Sequence, residues 1–578
     1  MSRAKCLPLL IAVGALVSRC GGPPQPNTSA YSSSKKLEKV AALPAPKGGI
    51  VLTLILDQLP TDAIERLRPV LDSEGYMGAL MAGQGLHFER VRFPYANTYT
   101  AAGHATIYTG YAPTRHGVSA NAVWDRLNQS VVSAYSDSQH AVLGTNGTTA
   151  GPGRLRLPTV ADWLYHERPA DKSRVVSVSL KDRAAIPGGG RHARDVYWYE
   201  ADLCGFTTST YYHRRKPAWL EAWQGEDFVR AYLEKPWSPL KPEAYAALGL
   251  VDDRPGEGNY QGLGTTFPRD LKTLTKPCSA IRATPAGGPL LLDFALNLAK
   301  ERGLGQGETR DFLAVSLSHT DYIGHIFGWD SVEYTDNLVR TDRDVARFVA
   351  ALRELTTVEV VLTSDHGALA LPEALGQPFG RIGPQALATE LNRVLEAEGL
   401  PAAVANFVPP YVYLDEGAFE AKDHPQIIAT LLSALQSREG IETAVFVGNG
   451  AIRTPASQGI AVAPAEADTA ADISPALRAQ IAAGIEVAPQ GDIFVVPARN
   501  YIVDAEPQTH SGTSHGSPFS YDTDVPVFVD SPRIKAGACS EVHSMLRVAP
   551  TLLWLLGVPH MISGEPLSSC SVAEPATP

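Results

Sequence analysis

The chain has 578 residues, 44% hydrophobic and 19% charged, enough to bury a large core and too long for one simple domain without insertions. Its formal net charge of −11, with no long basic run, excludes a nonspecific grip on a nucleic-acid backbone, which needs clustered Lys and Arg to displace counterions. No nucleic-acid polymer is expected as a partner, whereas a small anion held by local charges or metals in a cleft remains compatible.

The N-terminus reads MSRAK and then CLPLLIAVGALVS, a basic stretch followed by an apolar run too short to span a bilayer. Residues 1–20 are therefore read as a signal peptide, giving a periplasmic or secreted protein. LVSRCGG looks like a lipoprotein cleavage box, but Arg19 stands where a small residue is expected, so a lipid anchor at Cys20 is the alternative and the only membrane attachment foreseen. Residues 21–47, polar and rich in Pro, Gly and Ser, read as a flexible tether. The fold should begin near Gly48, and a monomer is expected.

GGIVLTLILDQLP is a continuous apolar run ending at Asp57, which suits a strand buried on both faces with its last residue at the carboxyl edge of a sheet. A helical pattern follows through IERLRPVLDSEGYMGALMAGQ. NTYTAAGHATIYTG then runs from a hydroxyl-rich loop into a helix. Between about 120 and 310 the pattern weakens into aromatic and loop-rich pieces, read as an insertion capping the site, with Tyr211, Tyr212 and Trp219 as buried aromatics. FLAVSLSHTD and VEVVLTSDHG read as strands flanking the helix VEYTDNLVRTDRDVARFVAALREL. Residues 370–500 read as a variable surface excursion, VPVFVDSP and EVHSMLRVAPTLLWLLGV as a last strand and helix, and 566–578 as a tail. Alternating units of this kind predict an α/β fold with a mostly parallel sheet, whose ligands sit outside the carboxyl ends of its strands.

Beyond the leader there are four cysteines, Cys204, Cys278, Cys539 and Cys570, an even number in a chain bound for an oxidising compartment. Three connectivities are open, and joining nearest partners pairs Cys204 with Cys278 and Cys539 with Cys570. None has the spacing of a metal site.

Three segments carry the chemistry. DYIGH places Asp321 and His325 four apart, with Gly324 expected to form a tight turn; SDHG places Asp365 beside His366; and THSGTSHGSPFSYD holds His515. With Asp57 they supply carboxylate oxygen and imidazole nitrogen suited to zinc, although manganese or iron takes the same donors. Any one pair alone reads first as a surface ion pair or a helix cap, and it is their joint appearance at strand ends that points to metals. Thr100 lies where a helix N-terminus would present free N–H groups to a phosphate, and a hydroxyl there is a candidate nucleophile. It reads equally as a helix cap, and Thr98 and Thr106 compete with it.

Asp57, Thr100 followed by GHA, DYIGH, SDHG and THSGTSHGSPFSYD together resemble the alkaline phosphatase superfamily. The resemblance is to its threonine-nucleophile branch, which also holds nucleotide pyrophosphatases and phosphodiesterases, and within it to the PafA-type alkaline phosphatases. It covers about residues 48–565 and implies an alkaline-phosphatase-like three-layer fold as one catalytic domain with an inserted cap. It also implies two zinc ions, one held by Asp321, His325 and His515, the other by Asp57, Asp365 and His366 with Thr100 completing its shell. Asn121, Lys181 and Arg183 match the positions that grip phosphate oxygens, although on charge alone Lys181 and Arg183 would be read as a solvated loop.

On this resemblance the chain is an exported phosphatase acting on small phosphate monoesters through a phosphothreonine at Thr100. A Lys and Arg pair facing nonbridging oxygens favours the monoester over the diester. A nucleotide pyrophosphatase or phosphodiesterase with the same metals is the nearest alternative, and a phosphate-binding lipoprotein without turnover the alternative from another class. A sulfatase is disfavoured because the nucleophile position lacks the Cys or Ser that becomes formylglycine. His104 is expected to brace the nucleophile loop, and His116 and His319 to pack nearby.

Overall fold

A computed structural model describes residues 48–168, 172–420, 422–447, 473–486, 491–503, 511–558, 562 and 564–570. The signal peptide, its Cys20 alternative and the tether lie outside the described residues, as does most of the Ala-rich stretch of 455–485.

The strand Ile50–Leu56 forms the middle of a ten-stranded sheet, and its alternating side chains explain the layers. Ile50, Leu52, Leu54 and Leu56 enter one hydrophobic core with the helices Gly287–Glu301 and Val332–Arg353. Val51 and Ile55 enter a second core on the opposite face, with the helices Thr100–Thr109, Val160–Glu167 and Val548–Leu556. A strand buried on both faces can be apolar at every position, which is why the run showed no polar alternation.

Ile50–Leu56 pairs in parallel with Asp311–Leu317 on one side and Val358–Thr363 on the other. Asp311–Leu317 pairs in parallel with Val175–Ser179, which pairs in parallel with Asp195–Glu200. Antiparallel strands close both flanks: Asp524–Asp530 beside Val358–Thr363, and Gly205–Thr207 beside Asp195–Glu200. The sheet is thus mostly parallel, as the alternating pattern predicts.

The span 120–310 differs from the expected cap. Val175–Ser179, Asp195–Glu200 and Gly205–Thr207 belong to the central sheet, and Gly287–Glu301 packs on it. The serines of VVSVS break the apolar run and hide the strand in sequence; Ser177 and Ser179 are buried with hydrogen bonds to Ala185 O and Ser316 O. Residues 208–286 hold only short helices such as Glu226–Tyr232 and Pro242–Ala247 and join the first core through Trp237 and Tyr245. The span 370–500 is likewise built: Val404–Val408, Tyr411–Leu414, Ile493–Pro497 and Ile441–Phe446 form a four-stranded antiparallel sheet with its own core against the helices Pro384–Ala397 and His424–Ser437.

Cys204 is bonded to Cys278 and Cys539 to Cys570, the nearest-partner pairing. Leu54 is fully buried in the middle strand. Leu54→Ala should lower the unfolding free energy by about 2–5 kcal/mol, read from urea unfolding; a loss below about 1 kcal/mol would contradict the burial of this strand in a packed core.

Candidate active site

Strand register brings the chemistry together. Leu56 lies opposite Leu317, Ile55 opposite Thr363, and Ser179 opposite Ser316, so four parallel strands end at one level. Asp57 follows the first, Asp365 and His366 follow Val358–Thr363, Lys181 follows Val175–Ser179, and the helix His319–Phe327 carrying Asp321 and His325 follows Asp311–Leu317.

Asp321 and His325 meet through helical i, i+4 spacing, Asp321 Oδ1 lying 3.1 Å from His325 Nε2. Gly324 is therefore not in the tight turn expected of it. It sits inside the helix because a Cβ there would fall 1.8 Å from Gln58 Oε1. Gly103 serves the same purpose in Thr100–Thr109: a Cβ would come 2.1 Å from Asp365 O, so only glycine lets this helix lie against the Asp365 loop.

The three histidines are oriented alike. Each turns Nδ1 toward a backbone carbonyl: His325 to Thr513 at 2.7 Å, His515 to Thr98 at 2.6 Å and His366 to Gly367 at 2.9 Å. With the proton on Nδ1, each Nε2 presents a lone pair, and each faces oxygen. His366 Nε2 lies 3.3 Å from Thr100 Oγ1, 3.4 Å from Asp365 Oδ2 and 3.5 Å from Asp57 Oδ1, and His515 Nε2 lies 3.8 Å from Asp321 Oδ1. Lone pairs aimed at one another repel unless cations lie between them. Asp57 Oδ1 is also buried with no hydrogen-bond partner among the described residues. Asp321, His325 and His515 form one group able to hold a cation; Asp57, Asp321 and His366 form another. The donors fit divalent metals. Asp365 falls outside the second trio, its Oδ1 accepting the Gln58 backbone N–H at 3.3 Å and its Oδ2 lying 3.2 Å from His104 Nδ1.

Lys181 is buried between the carboxylates, 2.8 Å from Asp57 Oδ2 and 2.5 Å from Asp321 Oδ2. Burial favours its neutral form, but Asp321 and Asp57 outweigh burial and hold the ammonium above its ordinary pKa. Burial, and then Asp321 and Asp365, push the Asp57 carboxyl up despite Lys181. For Asp321, burial acts upward too, but His325 and Lys181 hold it well below the usual range. Burial, with His366 and His325 adding to it, holds His515 well below the ordinary imidazole value, the neutral form a metal ligand needs.

Thr100 is the first residue of its helix, and the next N–H, of Ala101, donates to Asn121 Oδ1 at 2.9 Å. That contact leaves the Asn121 NH2 free to donate. Arg183 lies in the first turn of the helix Asp182–Gly189 and its buried Nε has no hydrogen-bond partner among the described residues. Of the competing threonines, Thr98 Oγ1 donates to Ser517 O and Thr106 Oγ1 bonds Tyr95 OH and His116 Nε2, so both hydroxyls are engaged elsewhere. His104 lies under the helix start, 2.9 Å from both Thr100 O and Ser316 Oγ. Burial lowers His116 and His319 to about 3, and both bond threonine hydroxyls away from the carboxylates. Tyr211 and Tyr212 bond Arg191 O and Gly190 O, and Trp219 stacks on Phe294, all away from the site.

The profile of the family described as type I phosphodiesterase / nucleotide pyrophosphatase matches residues 51–516. The chain belongs to this family. A Myroides odoratus protein named calcium-transporting ATPase is 31% identical over 551 residues, spanning 92% of this chain and 94% of its own. Alkaline phosphatase PhoV of Synechococcus elongatus is 29% identical over 546 residues, spanning 92% and 94%. The crystal structure of alkaline phosphatase PafA superposes with a TM-score of 0.78 at 27% identity, covering 90% of this chain and 98% of that one. No described helix is long and apolar enough to cross a membrane.

This phosphodiesterase-family site also uses residues that sequence reasoning missed. Gln58, at φ 66, donates from Nε2 to Asp321 at 3.1 Å and from its backbone to Asp365, while its carbonyl accepts from Tyr334 OH at 2.7 Å. Only its place after Asp57 hinted at this. Asp522 pins the His515 loop, its Oδ2 accepting Ser517 N–H at 2.8 Å, while its backbone O accepts Gly367 N–H at 2.8 Å.

Burial pushes the Asp522 carboxyl from 3.8 up to about 7, outweighing its hydrogen bonds with Ser517 and Gly516. A raised folded-state pKa means stability fully present below pH 3.8 and lost as pH rises toward about 7. Asp522→Asn should flatten this part of the Tm-against-pH curve, measured by calorimetry in parallel with the wild type. An equally steep fall in the variant would show that Asp522 is not its source.

Proposed function

We propose that the chain is an exported alkaline phosphatase that hydrolyses phosphate monoesters, with Thr100 as nucleophile and two zinc ions. The observation that carries this reading is the convergence of three Nε2 lone pairs and three buried carboxylates beside the Thr100 hydroxyl. The names of PhoV and PafA support the activity, and the apolar leader at 6–18 supports export. Asp321, His325 and His515 would hold one ion, and Asp57 and His366 the other beside Thr100, with Asp365 Oδ2, 3.4 Å from His366 Nε2, drawn in to complete it. The bound metals would supply Lewis acidity toward the attacking, leaving and phosphoryl oxygens.

The chain's own residues do the rest. The Thr100 oxygen attacks phosphorus as the bond to the leaving alcohol breaks, giving a phosphothreonine that water then hydrolyses to free phosphate and Thr100. Lys181, Arg183 and the Asn121 NH2 hold the nonbridging oxygens, charge on the phosphoryl group being what they stabilise in the transition state. Lys181 already lies against Asp57 and Asp321, so its ammonium is fixed before substrate arrives. A dianionic monoester offers these donors one more unsubstituted oxygen than a diester does, which ranks phosphomonoesterase above the phosphodiesterase in the family's description.

With zinc, the purified protein should hydrolyse phenyl phosphate with a kcat/KM at least about 10²-fold above methyl phenyl phosphate, and Arg183→Ala should narrow that ratio. Preference for the diester would make the chain a phosphodiesterase. Tight phosphate binding without turnover would make it a binding protein. Thr100→Ala should cost about 10³-fold or more in kcat/KM, and acid quench of the wild type during turnover should trap labelled phosphate on Thr100. Chelation should abolish turnover and zinc restore it; activity that survives chelation would remove the metals from the reading.

A further inference from the structure

We propose that Arg282 and Tyr322 form a subsite for a second anionic group, a carboxylate or a second phosphate, on the leaving alcohol of the substrate. This rests on the phosphatase reading and specifies the substrate class.

Tyr322 stands next to Asp321 in the helix His319–Phe327. Its ring carries two cations: Lys181 Nζ lies 5.2 Å from the centroid and the Arg282 guanidinium 4.9 Å. Arg282 Nη1 also donates to Tyr322 OH at 3.1 Å. Arg282 is half-buried, yet among the described residues no carboxylate lies within ion-pair distance; its other bond, at 3.4 Å, is from Nε to Ser279 O. Two other arginines of the same region are neutralised, Arg269 by Glu333 at 2.6 Å and Arg254 by Asp330 at 2.7 Å. Glu200 acts on the guanidinium only from beyond ion-pair distance, and a ligand anion would add a direct counter-charge.

The position of Arg282 is firmly built. Its turn, Ile281–Ala283, packs on His319–Phe327 and follows Cys278, which is bonded to Cys204 and whose carbonyl accepts from Tyr199 OH at 2.9 Å. Lys181 faces the carboxylates that flank the reacting phosphoryl group, and Arg282 lies against the same ring as Lys181. An ester whose phosphate is held by Lys181 would then extend its leaving group past this ring toward a second cation. A guanidinium fixed on an aromatic face suits a planar, bidentate carboxylate or a phosphate.

The test compares kcat/KM for 4-carboxyphenyl phosphate and 1,4-phenylene bisphosphate, each divided by the value for 4-methylphenyl phosphate, in the wild type, Arg282→Met and Arg282→Lys. Arg282→Met should lower one or both ratios about tenfold, chiefly through KM, and Arg282→Lys should restore most of the loss. The ratio that falls identifies the anion. Ratios unchanged in a folded Arg282→Met protein, or a loss equal on all three esters, would overturn the subsite while leaving the phosphatase reading intact. Should Arg282→Met fail to fold, Arg282→Lys together with the salt dependence of the wild-type ratios decides: ratios that do not fall between low and high ionic strength overturn it. Wild-type protein that turns over none of the esters would remove the phosphatase reading and the subsite together.

Discussion

The site depends on burying three carboxylates, Asp57, Asp321 and Asp365, at one level of a parallel sheet. Parallel strands in register must end together, and the residues just beyond each end are crowded into the same small volume. Like charges so close, out of water, are unstable without compensation. Lys181 provides part of it from the end of a fourth strand, and cations held by the carboxylates and imidazoles would provide the rest. Function and fold meet here, because the arrangement that would make the site reactive would cost stability if the cations were taken away.

Two kinds of support keep the arrangement in place. Backbone carbonyls of Thr513, Thr98 and Gly367 set all three imidazoles in one tautomer, so each Nε2 presents a lone pair before any ligand arrives. Close backbone approach does the rest. Gly103 lets the Thr100 helix rest on the Asp365 loop, and Gly324 makes room for Gln58 to bridge Asp321, Asp365 and Tyr334. The Gly103 and Gln58 contacts join segments more than 200 residues apart, so Thr100 and its neighbours are positioned by the whole sheet.

The central strands were legible because a strand buried on both faces leaves an unbroken apolar run, as in IVLTLIL and DFLAVSL. Val175–Ser179 was not, because its serines satisfy themselves on buried partners and the run reads as a loop. The expected cap boundary failed for that reason, where polar residues are buried in the sheet. A glycine gives the same signal in sequence whether it bends the chain or clears space for a neighbour, and Gly324 does the second.

By itself the sequence determined the alternating α/β order and the residue types of the site, since apolar periodicity and the chemistry of Asp, His, Thr and Lys are local properties. The nearest-partner reading of the cysteines agrees with the bonds found. Only the tertiary structure decided which of these groups meet, how the imidazoles are turned, that Gln58 and Asp522 support the site, and that Arg282 shares an aromatic ring with Lys181. Those facts depend on strand register and on backbone clearances between distant segments, which no local pattern encodes.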